Sequence, residues 1–191
     1  MSNHKAKLYV FSAPSGSGKT TIVRDVLKNY PGFVFSISAT TRKRRDTEKE
    51  GIDYFFISEK EFNEKINTGE FVEWEKFYDY YYGTLKSLVD NNLANGISTV
   101  FEVDVKGALS IKNAYKNSVL IFIAPPSIEA LKDRLIKRNT ETNEDLKKRI
   151  ERAEMELSFK DKFDYVVSNV NLEEAKKEVK NIIEKEIKEM Q

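Results

Sequence analysis

Ala13-Pro14-Ser15-Gly16-Ser17-Gly18-Lys19-Thr20 follows a short apolar run, Leu8-Tyr9-Val10-Phe11, and leads into a segment with Ile22, Val23, Val26 and Leu27 at helical spacing. Strand, glycine loop and helix in that order give the pattern G-x-x-x-x-G-K-[ST] its chemical meaning. Gly16 and Gly18 let successive backbone N–H groups turn inward with no Cβ in the way, which makes a concave anion site. The helix that follows adds the partial positive charge of its N-terminus at the same spot. Lys19 can then reach terminal phosphates, and the Thr20 hydroxyl can sit on Mg²⁺. Residues 13–21, from Ala13 through Thr21, are therefore expected to hold a nucleoside triphosphate. Ala13 stands where the strict pattern has glycine.

Outward from this loop, strands and helices alternate. Tyr30-Pro31-Gly32 stops the first helix, and Phe33–Ser38 reads as a second strand. Ala39–Asp46 is polar and carries Arg42, Lys43, Arg44 and Arg45, whose forked donors suit a second phosphate. Ile52–Ile57 is strand-like, and Ser58 with Glu61 forms a capping box that opens a helix through Phe62 and Ile66 to Gly69. Phe71–Phe77 alternates like a half-exposed strand. Tyr78, Tyr80, Tyr81 and Tyr82 follow, more aromatic rings than a small core needs, so one or two phenols are expected to face a ligand. A helix from about Leu85 to Asn95 precedes the strand Thr99–Asp104, which is expected to point Glu102 and Asp104 the same way, at the nucleotide or its metal. Ligands of such sheets bind beyond the carboxyl ends of the strands. Val105–Tyr115 is a helix with Gly107 near its start, where a neighbour can come close. Ser118–Ala124 is apolar throughout, as in a parallel strand buried on both faces. Ser127 caps the next helix, which carries Arg134 and Arg138. A polar break at 139–143 separates it from a charged helix with Arg149 and Arg152. Phe163–Asn169 is the last strand, and Leu172–Met190 a closing amphipathic helix. The expected fold class is α/β: a doubly wound parallel sheet with helices on both faces, a strand-rich insert and a short helical lid.

Composition narrows the function. The chain has 191 residues, enough for one sizeable core. Lys+Arg 32 against Asp+Glu 31 gives a net charge of +1, which argues against a nucleic-acid surface. No apolar run approaches the roughly 18 residues that span a bilayer, and the first strand starts too early for a secretory leader. Zero cysteines exclude disulfides and thiolate metal sites, and a single histidine, His4, leaves no material for a Ser-His-Asp hydrolase or a histidine-ligated metal. The expectation is a cytoplasmic protein without membrane or nucleic-acid partners, as a monomer or homodimer.

Taken together the motifs resemble the guanylate kinase family over nearly the whole chain. The resemblance rests on the phosphate loop, Ser38-Ala39-Thr40-Thr41-Arg42 with Arg45, Gly51-Ile52-Asp53-Tyr54, Glu73-Trp74 and Tyr81-Tyr82-Gly83-Thr84. Glu102–Gly107, Ile123–Ser127 and the segment from Arg138 to Arg149 extend it. It implies transfer of the ATP γ-phosphate to GMP with Mg²⁺. Residues 1–37, 85–137 and 151–191 would form the nucleotide-binding core, 38–84 a GMP-binding insert and 138–150 a lid. It further implies that Arg42, Arg45, Tyr54 and Tyr82 grip the GMP phosphate, and that Ser38, Glu73, Thr84 and Asp104 read the guanine. Arg134 and Asn169 would lie by ATP, Arg138 and Arg149 would join Lys19 and Arg42 in catalysis, and Glu102 would accompany Thr20 at the metal. Glu102 stands where the family commonly has aspartate, Asn139 where it has glycine, and Arg44 where it often has proline.

The chemistry of the residues agrees. Guanine presents two adjacent donors, N1–H and the 2-amino group, which one carboxylate at Glu73 can accept together. Adenine would aim a lone pair at the same oxygen and leave a buried charge unpaired. Two other readings compete: a catalytically silent protein-binding module of the same fold, and a different small-molecule kinase on the same core. The intact glycine loop with Lys19 speaks against the first, and Ser38, Glu73 and Thr84 against the second.

Overall fold

The computed structural model of the chain describes residues 6–77, 79–137 and 143–189. In chain order the elements are β1 (Leu8–Ser12), α1 (Lys19–Asn29), β2 (Val34–Phe35), β3 (Ala39–Thr40), β4 (Phe55–Phe56), α2 (Glu59–Asn67), β5 (Phe71–Phe77) and β6 (Tyr80–Leu85). They continue as α3 (Lys86–Ala94), β7 (Thr99–Glu102), α4 (Val105–Ala114), β8 (Val119–Ala124), α5 (Ile128–Lys137), α6 (Asn143–Leu157), a short 3₁₀ turn (Lys160–Lys162), β9 (Tyr165–Ser168) and α7 (Leu172–Lys188).

Five strands form a parallel sheet in the order β2-β7-β1-β8-β9. Side chains alternate across it with period two. Tyr9 and Phe11 go to one face with Val100, Ile121 and Ile123, where α1 contributes Ile22, Val23 and Val26 and α7 contributes Val179, Ile182 and Ile183. Leu8 and Val10 go to the other with Phe101, Leu120 and Phe122, under Val89 of α3 and Val105, Ala108 and Ile111 of α4. Each such fully buried aliphatic or aromatic side chain stabilises the fold by roughly 1.5–3 kcal/mol over an exposed one. The continuous apolar run at β8 has its reason here, since β8 pairs with β1 on one side and β9 on the other and is covered on both faces.

The chain leaves β1 towards β2 at one edge and returns from β7 over β1 to β8. The strand order therefore reverses around β1, and a crevice opens at the carboxyl ends of β1 and β7. A second sheet, β4-β3-β6-β5, stands over that crevice. Its hairpin pairs Glu73 with Thr84 and Trp74 with Gly83. Phe62 of α2 is buried behind it, stacked on Phe71 and Tyr81 at centroid distances of 4.3 and 5.3 Å.

Several expected boundaries move. The strand expected over Phe33–Ser38 is only Val34–Phe35, because as an edge strand it has β7 as its one partner. The segment read as a polar loop begins with a strand, since Ala39 and Thr40 are fully buried between β4 and β6. Tyr80–Leu85, read only as a run of tyrosines, is the second arm of the hairpin. Of the strand expected over Ile52–Ile57, only Phe55–Phe56 forms. The strand expected to carry both Glu102 and Asp104 stops at Glu102, and Asp104 is instead the N-cap of α4. The expected caps hold elsewhere: Ser58 Oγ accepts from Glu61 N at 3.1 Å, and Ser127 Oγ from Ala130 N at 3.1 Å.

Candidate active site

Gly16 and Gly18 have φ of +90° and +88°, a region closed to most side chains, and the Gly18 turn delivers the chain into α1. Asn169, at the end of β9, locks this loop from behind. Its Nδ2 donates to the Ser17 carbonyl at 2.7 Å, and a Cβ on Gly18 would lie 2.4 Å from that nitrogen. Asn169, expected by ATP, is nearly fully buried and reaches the phosphate loop.

In front of the loop lies a cavity of about 890 Å³, lined by residues 13–21, by Glu73 and Tyr82 of the second sheet with Ser38 and Tyr54 just before its strands β3 and β4, and by Arg149 and Arg152 of α6. Lys19 Nζ donates to the Val103 carbonyl at 3.0 Å. Burial pushes its ammonium below the ordinary lysine range, against the pull of Glu102, Glu156 and Asp104. Thr20 Oγ1 donates to Glu102 Oε1 at 2.6 Å, so a hydroxyl and a carboxylate meet beside the loop. That pair of hard oxygen donors suits Mg²⁺, which takes few protein ligands and completes its shell with phosphate and water. Among the described residues no group of three or more acidic or histidine side chains could hold an ion by itself.

The opposite wall is acidic. Thr84, almost fully buried, donates to Glu73 Oε1 at 2.5 Å. Burial, with Asp104 and Glu75 nearby, still pushes the Glu73 carboxyl up to about 7. Its other oxygen lies against α4 at Gly107, where a Cβ would sit 2.9 Å from Glu73 Oε2 and 3.2 Å from Asp104 Oδ1. A Cβ there would have to push the Glu73 carboxylate aside. Asp104 caps α4 by accepting from Gly107 N at 2.7 Å. Tyr54 and Tyr82 meet edge to face at 6.0 Å, and the Arg42 guanidinium lies 5.5 Å over Tyr54. Of the tyrosine run, Tyr82 lines the cavity, Tyr81 packs inward on Phe62 and Tyr80 is exposed.

Of the residues singled out from sequence, Ala13 to Thr21, Ser38, Tyr54, Glu73, Tyr82, Glu102, Asp104 and Arg149 line one cavity. Arg42 borders it through Tyr54, Thr84 through Glu73, and Arg45 is exposed on the loop after β3. Arg134 sits on α5 with its side chain outside the described part, and Arg138 lies outside the described residues. Sequence reasoning passed over two sets of partners. Arg152 bridges three carboxylates, donating to Glu156 at 3.0 Å and Glu75 at 3.3 Å and lying 3.6 Å from Asp104, with Phe77 under its guanidinium. Burial pushes the Glu75 and Glu156 carboxyls upward, so this arginine sits where charge is costly. Its signal was legible in part: Arg149, Arg152 and Glu156 share a helix face, and Glu75 follows Glu73 by two on a strand. Glu48, which holds Arg42, carried no such signal.

Comparison with known proteins gives the same direction. The guanylate kinase family model matches residues 5–186. The guanylate kinase of Thermotoga maritima is 47% identical over 182 residues, 95% of this chain and 88% of its own length. That of Bacteroides fragilis is 49% identical over 181 residues, 94% of this chain and 89% of its own. The crystal structure of guanylate kinase from Anaplasma phagocytophilum superposes with a TM-score of 0.73 at 30% identity, covering 96% of this chain and 87% of the other. With a phosphate loop on one wall of the cleft, a Glu73–Thr84 pair on the other and this similarity along nearly its whole length, the chain belongs to the guanylate kinase family.

Proposed function

We propose that this protein transfers the γ-phosphoryl group of ATP to GMP, giving ADP and GDP, in purine nucleotide metabolism and GMP recycling. The observation that carries the reading is the Glu73 carboxylate, set by Thr84 in the same cleft as the phosphate loop. Guanine N1–H and its 2-amino group would pair with Glu73, with Asp104 and Ser38 at its edge. A charged, buried acceptor of this kind rejects adenine strongly, because the wrong base leaves it unpaired. The monophosphate would be received by Arg42, Arg45, Tyr54 and Tyr82.

On the donor side the backbone of residues 13–21 would cradle the triphosphate. Lys19 would exchange the Val103 carbonyl for phosphate oxygens, and Arg134 would flank them. A Mg²⁺ ion held by Thr20, with Glu102 directly or through water, would supply positive charge to the phosphate oxygens. The transferred group passes between two anions, so the chain's task is alignment and charge neutralisation rather than proton chemistry. Lys19, Arg42, Arg138 and Arg149 are the cations for it. Residues 138–150 would serve as the lid and 38–84 as the acceptor-binding insert. Their closure on the core (residues 1–37, 85–137 and 151–191) would keep water from the γ-phosphate.

No described helix is long and apolar enough to cross a membrane. We further propose a cytoplasmic monomer or homodimer without membrane or nucleic-acid partners, the net charge of +1 speaking against the last. The test is ADP formation with GMP, AMP, CMP and UMP offered as acceptors. Turnover confined to GMP is the expected result. Turnover with AMP in preference to GMP refutes the base assignment, and GMP binding without turnover refutes the enzymatic reading.

A further inference from the structure

Arg42 is not loose in the loop that follows β3. Its Nη2 donates to Glu48 Oε1 at 2.7 Å and its Nη1 to Glu48 Oε2 at 3.1 Å, a bidentate pair across six residues. Nη1 also donates to the Lys43 carbonyl at 2.8 Å. Glu48 Oε2 accepts a further bond from the Arg45 backbone N–H at 2.8 Å, and Glu48 N donates to the Arg45 carbonyl at 3.0 Å. Both side chains are 13% exposed. One carboxylate thus closes the whole arginine loop on itself and fixes the plane of the Arg42 fork over Tyr54 and Phe56. The hydrogen bonds from Arg42 and Arg45 hold the Glu48 carboxyl below its ordinary range, so it stays ionised.

A guanidinium has five N–H donors. Glu48 and the Lys43 carbonyl take three, which leaves the Nε–H and one Nη2–H for a ligand. An arginine already held in one rotamer loses little freedom when it receives a phosphate, whereas a free one must give up most of its side-chain entropy. Against this, a carboxylate near a phosphate repels it. Here that charge is matched by Arg42 and the Arg45 N–H, so orientation outweighs repulsion.

We propose that Glu48 is a positioning residue for the acceptor monophosphate: it clamps the far end of the Arg42 guanidinium and the Arg45 backbone so that the remaining Arg42 donors face the phosphate. The inference rests on the reading of Arg42 as a phosphate ligand. It assigns Glu48 no contact with substrate; the residue acts through Arg42.

The experiment is a double-mutant cycle of Glu48→Gln and Arg42→Ala on the full chain, followed by KM for GMP, KM for ATP, kcat and melting temperature. Glu48→Gln keeps the shape and removes the charge-assisted pair. It is expected to raise KM for GMP by about tenfold, the scale of one charged hydrogen bond, with KM for ATP within about twofold and any loss of kcat smaller than that of Arg42→Ala. In the Arg42→Ala background, where the Glu48 charge is no longer matched, the same change is expected not to raise KM for GMP further, and relief of repulsion lowers it if anything. If Arg42→Ala raises KM for GMP while Glu48→Gln leaves it unchanged or lowers it, or if the two effects simply add, the positioning role is overturned and the Arg42 assignment stands. If Arg42→Ala itself leaves KM for GMP unchanged, the Arg42 assignment fails and takes this inference with it. Should Glu48→Gln not melt cooperatively, Glu48→Asp carries the test. It keeps the charge one methylene short of the bidentate reach, and an unchanged KM for GMP in that variant overturns the proposal.

Discussion

Glu73→Gln should make the protein more stable and worse at holding GMP, and both effects can be sized. The Glu73 carboxyl is pushed up to about 7 from an ordinary 4.5 by burial, with Asp104 and Glu75 adding like charge. A group whose folded pKa lies above its unfolded value stabilises the fold below the unfolded pKa. That contribution fades as pH rises through the folded one. For Glu73 the window runs from about 4.5 to about 7. Above it the folded protein carries an ionised, part-buried carboxylate at a cost of at most roughly 3 kcal/mol, less where solvent reaches it. Glutamine removes that cost and can still accept from Thr84. The variant should therefore melt higher than the parent at pH 8, by about 2–4 °C per kcal/mol, with the gap narrowing towards pH 5. GMP recognition moves the other way. An amide offers one acceptor and one donor where guanine presents two donors, so KM for GMP should rise by about 10²-fold while KM for ATP stays within about twofold. The parent's KM for GMP should also fall as pH rises through 7, when Glu73 ionises. The variant serves as control for the second ionisation of the phosphate itself, near 6. The assays are thermal melts from pH 5 to 8.5 and steady-state kinetics at saturating ATP. An unchanged KM for GMP, or a stability gap that does not depend on pH, would falsify this account of Glu73.

Lys19→Ala removes the ammonium at the phosphate loop; kcat should fall by about 10³-fold or more, with GMP affinity by calorimetry nearly unchanged. Equal losses in both would show that Lys19 serves the acceptor site instead. Gly18→Ala sets a Cβ 2.4 Å from Asn169 Nδ2 on a residue at φ +88°. It should cost about 1–3 kcal/mol in thermal or urea unfolding and weaken ATP binding, and a neutral result would mean that the loop yields easily. Gly107→Ala is a contest between helix propensity, which favours alanine by about 1 kcal/mol, and the approach of Glu73 Oε2 to 2.9 Å. The contact should win for function, raising KM for GMP several-fold even if the melting temperature rises; an unaltered KM would show that Glu73 can step aside without loss.

Much of this protein is legible along the chain because its signals are local. The glycine loop needs only Gly16, Gly18, Lys19 and Thr20 in sequence, and its strand and helix announce themselves by apolar spacing. Ser58 and Ser127 cap helices three residues away, and the all-apolar β8 betrays its own burial. The errors fall where pairing across distance decides. Ala39 and Thr40 look polar-bounded and loop-like, and become strand because β6, some forty residues on, supplies the partner. Asp104 looks like the end of a strand, but the backbone turns after Glu102 and makes it a cap.

The order of residues by itself determined the fold class, the phosphate loop and the family, since each is written in short-range spacing or in motifs that survive as strings. It could name Glu73, Thr84, Asp104 and Arg42 as candidates one by one. Only the tertiary structure decided that Glu73 is buried enough to be pushed up to about 7, that Gly107 leaves the gap it occupies, and that Asn169 braces the loop from behind. It alone revealed Arg152 as the counter-charge to three carboxylates and Glu48 as the clamp on Arg42. The physical reason is the same in each case. Burial and electrostatics depend on what surrounds a group in space, and those neighbours come from strands and helices far apart along the chain.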